Sequence, residues 1–160
     1  MERKIVSDTG PILHLWEIDS LEILQEMGRI SIPQAVNAEL VEISSSWSKK
    51  RPSWILIEPV SVQDITKVEL LCNSGLLDFG ETEAIILAEH IKADWFLTDD
   101  LAARVFADSI GLECHGSLGI ILWSCAIGKL GYQEAKAVFN KLFHQSSLWV
   151  SKDIIEEIYK

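Results

Sequence analysis

The chain lacks most of the features that announce a function at once. Its three cysteines, Cys72, Cys114 and Cys125, are odd in number, far apart and without C-x-x-C spacing. That pattern argues against a disulfide scaffold or a thiolate zinc site and leaves apolar thiols in a reducing compartment. None of the four histidines, His14, His90, His115 and His144, shows ligand spacing such as H-x-x-x-H, so they read as surface or interface residues. The longest apolar run, LGIILWSCAIG, falls far short of the ~20 residues that cross a bilayer. The opening MERKIVSDTGPILHLW has no continuous apolar segment of the secretory kind. A soluble, cytoplasmic protein with no membrane partner is expected.

Positive charge is also scarce. Fourteen Lys and Arg stand against 24 Asp and Glu, a net charge of −10, which argues against coating nucleic acid by bulk electrostatics. A local basic site is still compatible with that balance. The one dense cationic run is Lys49, Lys50 and Arg51 within SSSWSKKRPSW. It reads as an exposed loop, either simply solvated or a basic and aromatic flap that grips phosphates and stacks bases. There is no internal repeat, low-complexity segment or linker, and 160 residues, 48% of them hydrophobic, fit one globular domain with its own core.

What is present is an alternation of short apolar runs and amphipathic stretches. KIVSD (4–8) is a strand that stops at a carboxylate, and Thr9-Gly10-Pro11 then opens a helix that runs through ILHLWEIDSLEILQEM with a break near Asp19-Ser20. RISIP is a second strand, QAVNAELVEI a helix, and SWILIEPV a third strand. Ser61 to Asp64 resembles a capping box ahead of a helix that ends at Gly75. Helices are then expected over 79–91, 100–110, 117–128 and 132–144, strands over 94–98 and 112–115, and a last helical turn or two in DIIEEIYK. Such alternation predicts an α/β fold with a central, mainly parallel sheet and helices on both faces.

In an open sheet of this kind, sites gather beyond the carboxyl ends of the strands, and acids recur there. Asp8 ends the first strand, and Asp99 and Asp100 end WFLT. Glu39 lies on the helix after the second strand, and Asp78, Glu81 and Glu83 surround the start of the helix before WFLT. Acids converging without Arg or Lys require a cation, and an all-oxygen set suits Mg²⁺ or Mn²⁺ better than zinc. Such an ion activates water and neutralises a leaving oxygen in phosphodiester hydrolysis.

The ordered series IVSDTGPIL, PQAVNAEL, LDFGETEAIILA, FLTDDLAARVFADSIGL and GSLGIIL resembles the PIN-domain family, and within it the small prokaryotic toxin ribonucleases of VapC type. The likeness covers nearly the whole chain. It implies a three-layer fold and metal-dependent endoribonuclease cleavage of single-stranded RNA by in-line attack of water. By the family pattern, Asp8, Glu39, Glu81 and Asp100 are the metal ligands and Asp99 assists them. The third acid departs from the pattern, because the family has aspartate where this chain has Glu81, and Asp78 or Glu83 are its alternatives. Ser7, Thr98, Lys49, Lys50, Arg51 and Arg104 are candidates for substrate contact, although the position of Arg104 one turn past Asp100 favours an i,i+4 ion pair over a phosphate contact. A toxin of this type implies a small antitoxin partner that inserts Arg or Lys among the acids. Trp123 and Phe139 fall on apolar faces that suit either the core or a homodimer interface.

Each acid also has an ordinary role open to it. Asp78 with Glu81 has the spacing of a capping box, Asp99 is placed to N-cap the next helix, and Glu39 with Glu42 reads as a solvated helix face. The competing function is therefore a PIN-like RNA- or protein-binding module with little catalysis and a structural metal or none. A phosphohydrolase acting on small nucleotides is a third reading.

Overall fold

The computed structural model describes residues 2–160. Five strands, β1 (Lys4–Ser7), β2 (Arg29–Pro33), β3 (Ile55–Glu58), β4 (Trp95–Leu97) and β5 (Cys114–His115), form one sheet in the order β3-β2-β1-β4-β5. All four pairings are parallel, with Ile5 opposite both Ile30 and Trp95. Ile5, Val6, Ile30, Ile32, Ile55, Phe96 and Leu97 are all fully buried, as expected of a parallel sheet covered on both faces.

Among the described residues nine helices supply the cover: α1 (Thr9–Glu17), α2 (Gln34–Ile43), α3 (Trp47–Lys50), α4 (Val62–Asn73), α5 (Phe79–Ile91), α6 (Leu101–Ser109), α7 (Ser117–Ala126), α8 (Tyr132–Gln145) and α9 (Lys152–Ile158). Helices α4, α5 and α6 pack in series, and α1, α7 and α8 pack with a 3-10 helix at Leu21–Glu26. Winding runs outward from β1 through β2 to β3, then crosses to β4 and β5. With right-handed crossovers this reversal places the two helix groups on opposite faces. It also opens a crevice between the carboxyl ends of β1 and β4.

Several local expectations are corrected. The break expected near Asp19-Ser20 is present, with α1 stopping at Glu17 and Asp19 at a left-handed φ of 54°, but beyond it the chain resumes as a 3-10 turn and not as α-helix. Ser61 does not cap α4: its hydroxyl donates to the Asp64 carboxylate at 2.8 Å. Asp100, not Asp99, caps α6, accepting from the Ala103 N–H at 2.9 Å. The stretch expected to be an exposed basic loop contains the helical turn α3, anchored by Trp47, which is fully buried and donates its indole N–H to Asn37. Arg51 turns back to donate to the Ile55 carbonyl. Trp123 and Phe139 are engaged within the chain, Trp123 edge-on to Trp95 at 5.2 Å and Phe139 buried and stacked on Phe143. Among the described residues no helix is long and apolar enough to cross a membrane.

Candidate active site

At the crevice lies a cleft of about 400 Å³ lined by Asp8, Glu39, Asp78, Glu81, Asp99 and Asp100, together with Thr9, Gly10, His14 and the segment Ser147–Trp149. Each acid reaches it from a different element for a local reason. β1 ends where Asp8 turns extended and N-caps α1, its Oδ1 accepting from Gly10 N–H at 3.2 Å. Glu39 is delivered by α2 and accepts both the Thr9 hydroxyl, at 2.5 Å, and the Gly80 N–H. Asp78 and Glu81 form the capping box expected for α5, with Glu81 N–H donating to Asp78 at 2.7 Å and Asp78 N–H to Glu81 at 3.2 Å. The capping reading of this pair is therefore correct, yet the same two residues still line the cleft.

Asp8 is only 3% exposed, and burial holds its carboxyl well above the ordinary range. The Thr98 hydroxyl bonded to it works the other way, and the charges of Asp99 and Glu81 add to the rise. Glu39 is likewise raised, first by burial, with Thr9 opposing. Glu81 is pushed up to about 7 by burial, helped by the charges of Asp78, Asp100 and Glu39. Carboxylates from four segments, separated by up to 92 positions in the chain (100 − 8), thus line one cleft within range of one another's charge. Among the described residues no Lys or Arg lines it.

Asp99 has a different place from the one expected of it. Its oxygens accept the Ser117 N–H at 2.7 Å and the Ser117 hydroxyl at 2.5 Å, and Oδ2 lies 2.6 Å from His14 Nδ1. With both oxygens held, Asp99 ties the start of α7 and the side of α1 to the end of β4. Gly10 and Gly116 make room for it, since a Cβ at Gly116 would stand 2.8 Å from Asp99 Oδ1. It is a positioning residue. His14, read from sequence as a surface or interface residue, is instead a cleft residue with a side chain 12% exposed. Its signal was its spacing of four from Gly10, which puts both on the face of α1 turned toward Asp99.

The other assigned residues divide clearly. Ser7 and Thr98 are fully buried: Ser7 donates to the Asp8 carbonyl, and Thr98 joins Asp8 to the Asp100 N–H. They support the acids from beneath and do not face a substrate. Glu83 points away, accepting from Ala35 N–H at the start of α2, so it is no alternative third acid. Lys49, Lys50 and Arg51 do not line the cleft. Arg104 forms no ion pair with Asp100, whose carboxylate serves Ala103, and lines a neighbouring cleft instead. Gly80 and Ser147–Trp149 had no local sequence signal, because only the tertiary fold brings them to the acids.

Among the described residues no group of three or more His, Cys, Asp or Glu side chains stands placed to hold a metal ion, each carboxylate resting on an internal donor. The donor set nonetheless fits a hard divalent cation. It is all oxygen, Asp8, Glu39 and Glu81 are held above their ordinary pKa by burial and by neighbouring acids, and Mg²⁺ characteristically takes one or two carboxylates while keeping several waters.

A PIN-domain family model matches residues 4–160, and no curated protein matches the chain. PIN domains are generally nucleases that use divalent metal ions and bind nucleic acid. With a match across nearly its full length, an all-parallel five-stranded sheet and an acidic crevice at the β1/β4 switch point, the chain belongs to the PIN-domain family.

Proposed function

We propose that this protein is a metal-dependent endoribonuclease that hydrolyses phosphodiester bonds in single-stranded RNA. The observation that carries the proposal is the gathering of Asp8, Glu39, Glu81 and Asp100 in one cleft with no Lys or Arg, among the described residues, to neutralise them. These four would hold Mg²⁺ or Mn²⁺, which when bound supplies an activated water and charge neutralisation at the leaving oxygen. Asp99 fixes the end of β4 so that Asp100 faces the cleft, and Thr98 tethers Asp8 to the same turn. Glu81, with its carboxyl near 7, exchanges its proton close to neutral pH, so cation affinity rises with pH through that region.

Purified protein should cut labelled single-stranded RNA with Mn²⁺ or Mg²⁺ and stop on addition of EDTA. Failure to cut across RNAs of diverse sequence would remove the proposal. The capping roles of Asp8, Asp78, Glu81 and Asp100 favour a second reading, a binding module with a structural cation. Calorimetric Mn²⁺ binding without turnover would select it. The role of toxin, with a small antitoxin covering the cleft through an inserted Arg or Lys, extends the first reading. A co-purifying small partner that blocks cleavage is its test.

A sharper check lies at Gly80. A Cβ there would stand 2.3 Å from Glu39 Oε1 and 2.9 Å from its Cδ, so Gly80→Ala displaces that carboxylate. Because alanine favours the helix by up to about 1 kcal/mol, the fold should hold or gain stability. Mn²⁺ affinity should fall by about 10–100-fold, the range for lost ligand support. Unchanged affinity by calorimetry would exclude Glu39 from the cation site.

A further inference from the structure

Beside the acidic cleft lies a second one of about 380 Å³, and the two share Asp99, Asp100, Leu148 and Trp149 as a common wall. Its chemistry is different. Arg104, on α6 one turn past Asp100, lines it and, among the described residues, joins no ion pair. In a chain of net charge −10, a guanidinium beside an acidic crevice would ordinarily be drawn to a carboxylate. Here Asp100 is committed to the α6 cap and Asp99 to Ser117 and His14.

Trp149 stands on the shared wall and is 82% exposed. Single exposed apolar residues are ordinary, but this one is mounted on a fastened segment. Ser147 donates through both N–H and hydroxyl to Glu17 at the end of α1, and Ser151 caps α9 by accepting from Ile154 N–H. Beyond it, Tyr159 of the C-terminal turn packs edge-on to Phe143. The indole is thus held out from a strap tied at both ends, with its ring left uncovered.

We propose that the second cleft is the groove through which a single RNA strand leaves the acidic cleft, one base stacking on Trp149 and one backbone phosphate held by Arg104. The inference rests on the nuclease reading for the direction of the strand. Its own support is the continuity of the two clefts, the unpaired cation and the exposed ring. A stacking ring with a cation at the next phosphate holds a strand without reading its sequence.

The test uses fluorescence anisotropy of a short labelled single-stranded RNA on full-length Asp8→Asn protein in Mn²⁺ buffer, so that binding is read apart from cutting. Adding Trp149→Ala should weaken binding by about tenfold, the scale of one base stacked on an aromatic ring, and Trp149→Phe should restore most of it. Adding Arg104→Gln should weaken binding and lessen the salt slope by about 0.7, as for one phosphate contact on a single strand. In protein that retains Asp8, Trp149→Ala should raise KM for RNA cleavage, leave kcat unchanged and leave the melting temperature unchanged. Affinity indifferent to both positions overturns the groove, and does so whether or not the protein cuts RNA. Binding that depends on Trp149 and Arg104 in a protein that never cuts supports the groove and overturns the nuclease reading instead.

Discussion

The Asp8→Asn substitution is expected to abolish metal-dependent cleavage and, in the same preparation, to raise the melting temperature of the metal-free protein. The two effects have one cause. Asp8 is nearly fully buried among other acids, so its charge is a liability to the fold unless a cation shares it. Asparagine keeps the shape and the N-cap of α1 while removing the charge. The loss of cleavage should reach about a thousandfold or more, because a bound cation contributes several kcal/mol at the transition state and each ~1.4 kcal/mol is tenfold. The gain in stability should appear as a rise of about 2–4 °C for each kcal/mol recovered. Cleavage retained by the variant would exclude Asp8 from the reaction, and a lower melting temperature would show that its charge supports the fold.

Mn²⁺ should stabilise the native protein strongly, and more so at pH 8 than at pH 5.5. The folded protein holds the protons of Asp8, Glu39 and Glu81 to higher pH than the unfolded chain does. Stability without metal therefore falls as pH rises from the ordinary carboxylate range, and the contribution of Glu81 is fully lost above its folded value of about 7. Cation binding requires the same protons to leave, so it strengthens over the interval in which the metal-free fold weakens. At a hundred times the dissociation constant the gain is about 2.7 kcal/mol, or about 5–10 °C for a chain of this size. Differential scanning fluorimetry at several pH values, with EDTA or Mn²⁺, reads both slopes. A melting temperature without EDTA or Mn²⁺ dependence would mean that the clustered acids do not hold a cation.

The fold was legible wherever a short β-branched run stood between helical stretches, since that alternation forces a parallel sheet. Asp8 and the pair Asp99-Asp100 were legible for the same reason, being the acids that follow buried strands directly or after one threonine. The boundaries moved where side-chain chemistry decided them: Asp100 took the cap expected of Asp99, and buried Trp47 anchored a helical turn whose lysines stay exposed. Asp99 and Asp100 look alike in the sequence and both line the cleft, yet Asp99 has both oxygens held by Ser117 and His14 while Asp100 gives one oxygen to the α6 cap. No local pattern separates them, because the partner at 117 arrives from beyond the next strand. The same holds for Trp149, whose setting depends on Glu17 meeting Ser147 across 130 positions.

The strap from Ser146 to Ser151 has a consequence for how such a molecule diversifies. The acids come from α1, α2, α5 and α6 with their caps, while the outer wall comes from a separate stretch fastened by Glu17 at one end and α9 at the other. Exchange of the residue at 149 alters what lies against the wall without disturbing any carboxylate. Descendants of this chain are thereby free to drift toward new ligands while inheriting their chemistry intact.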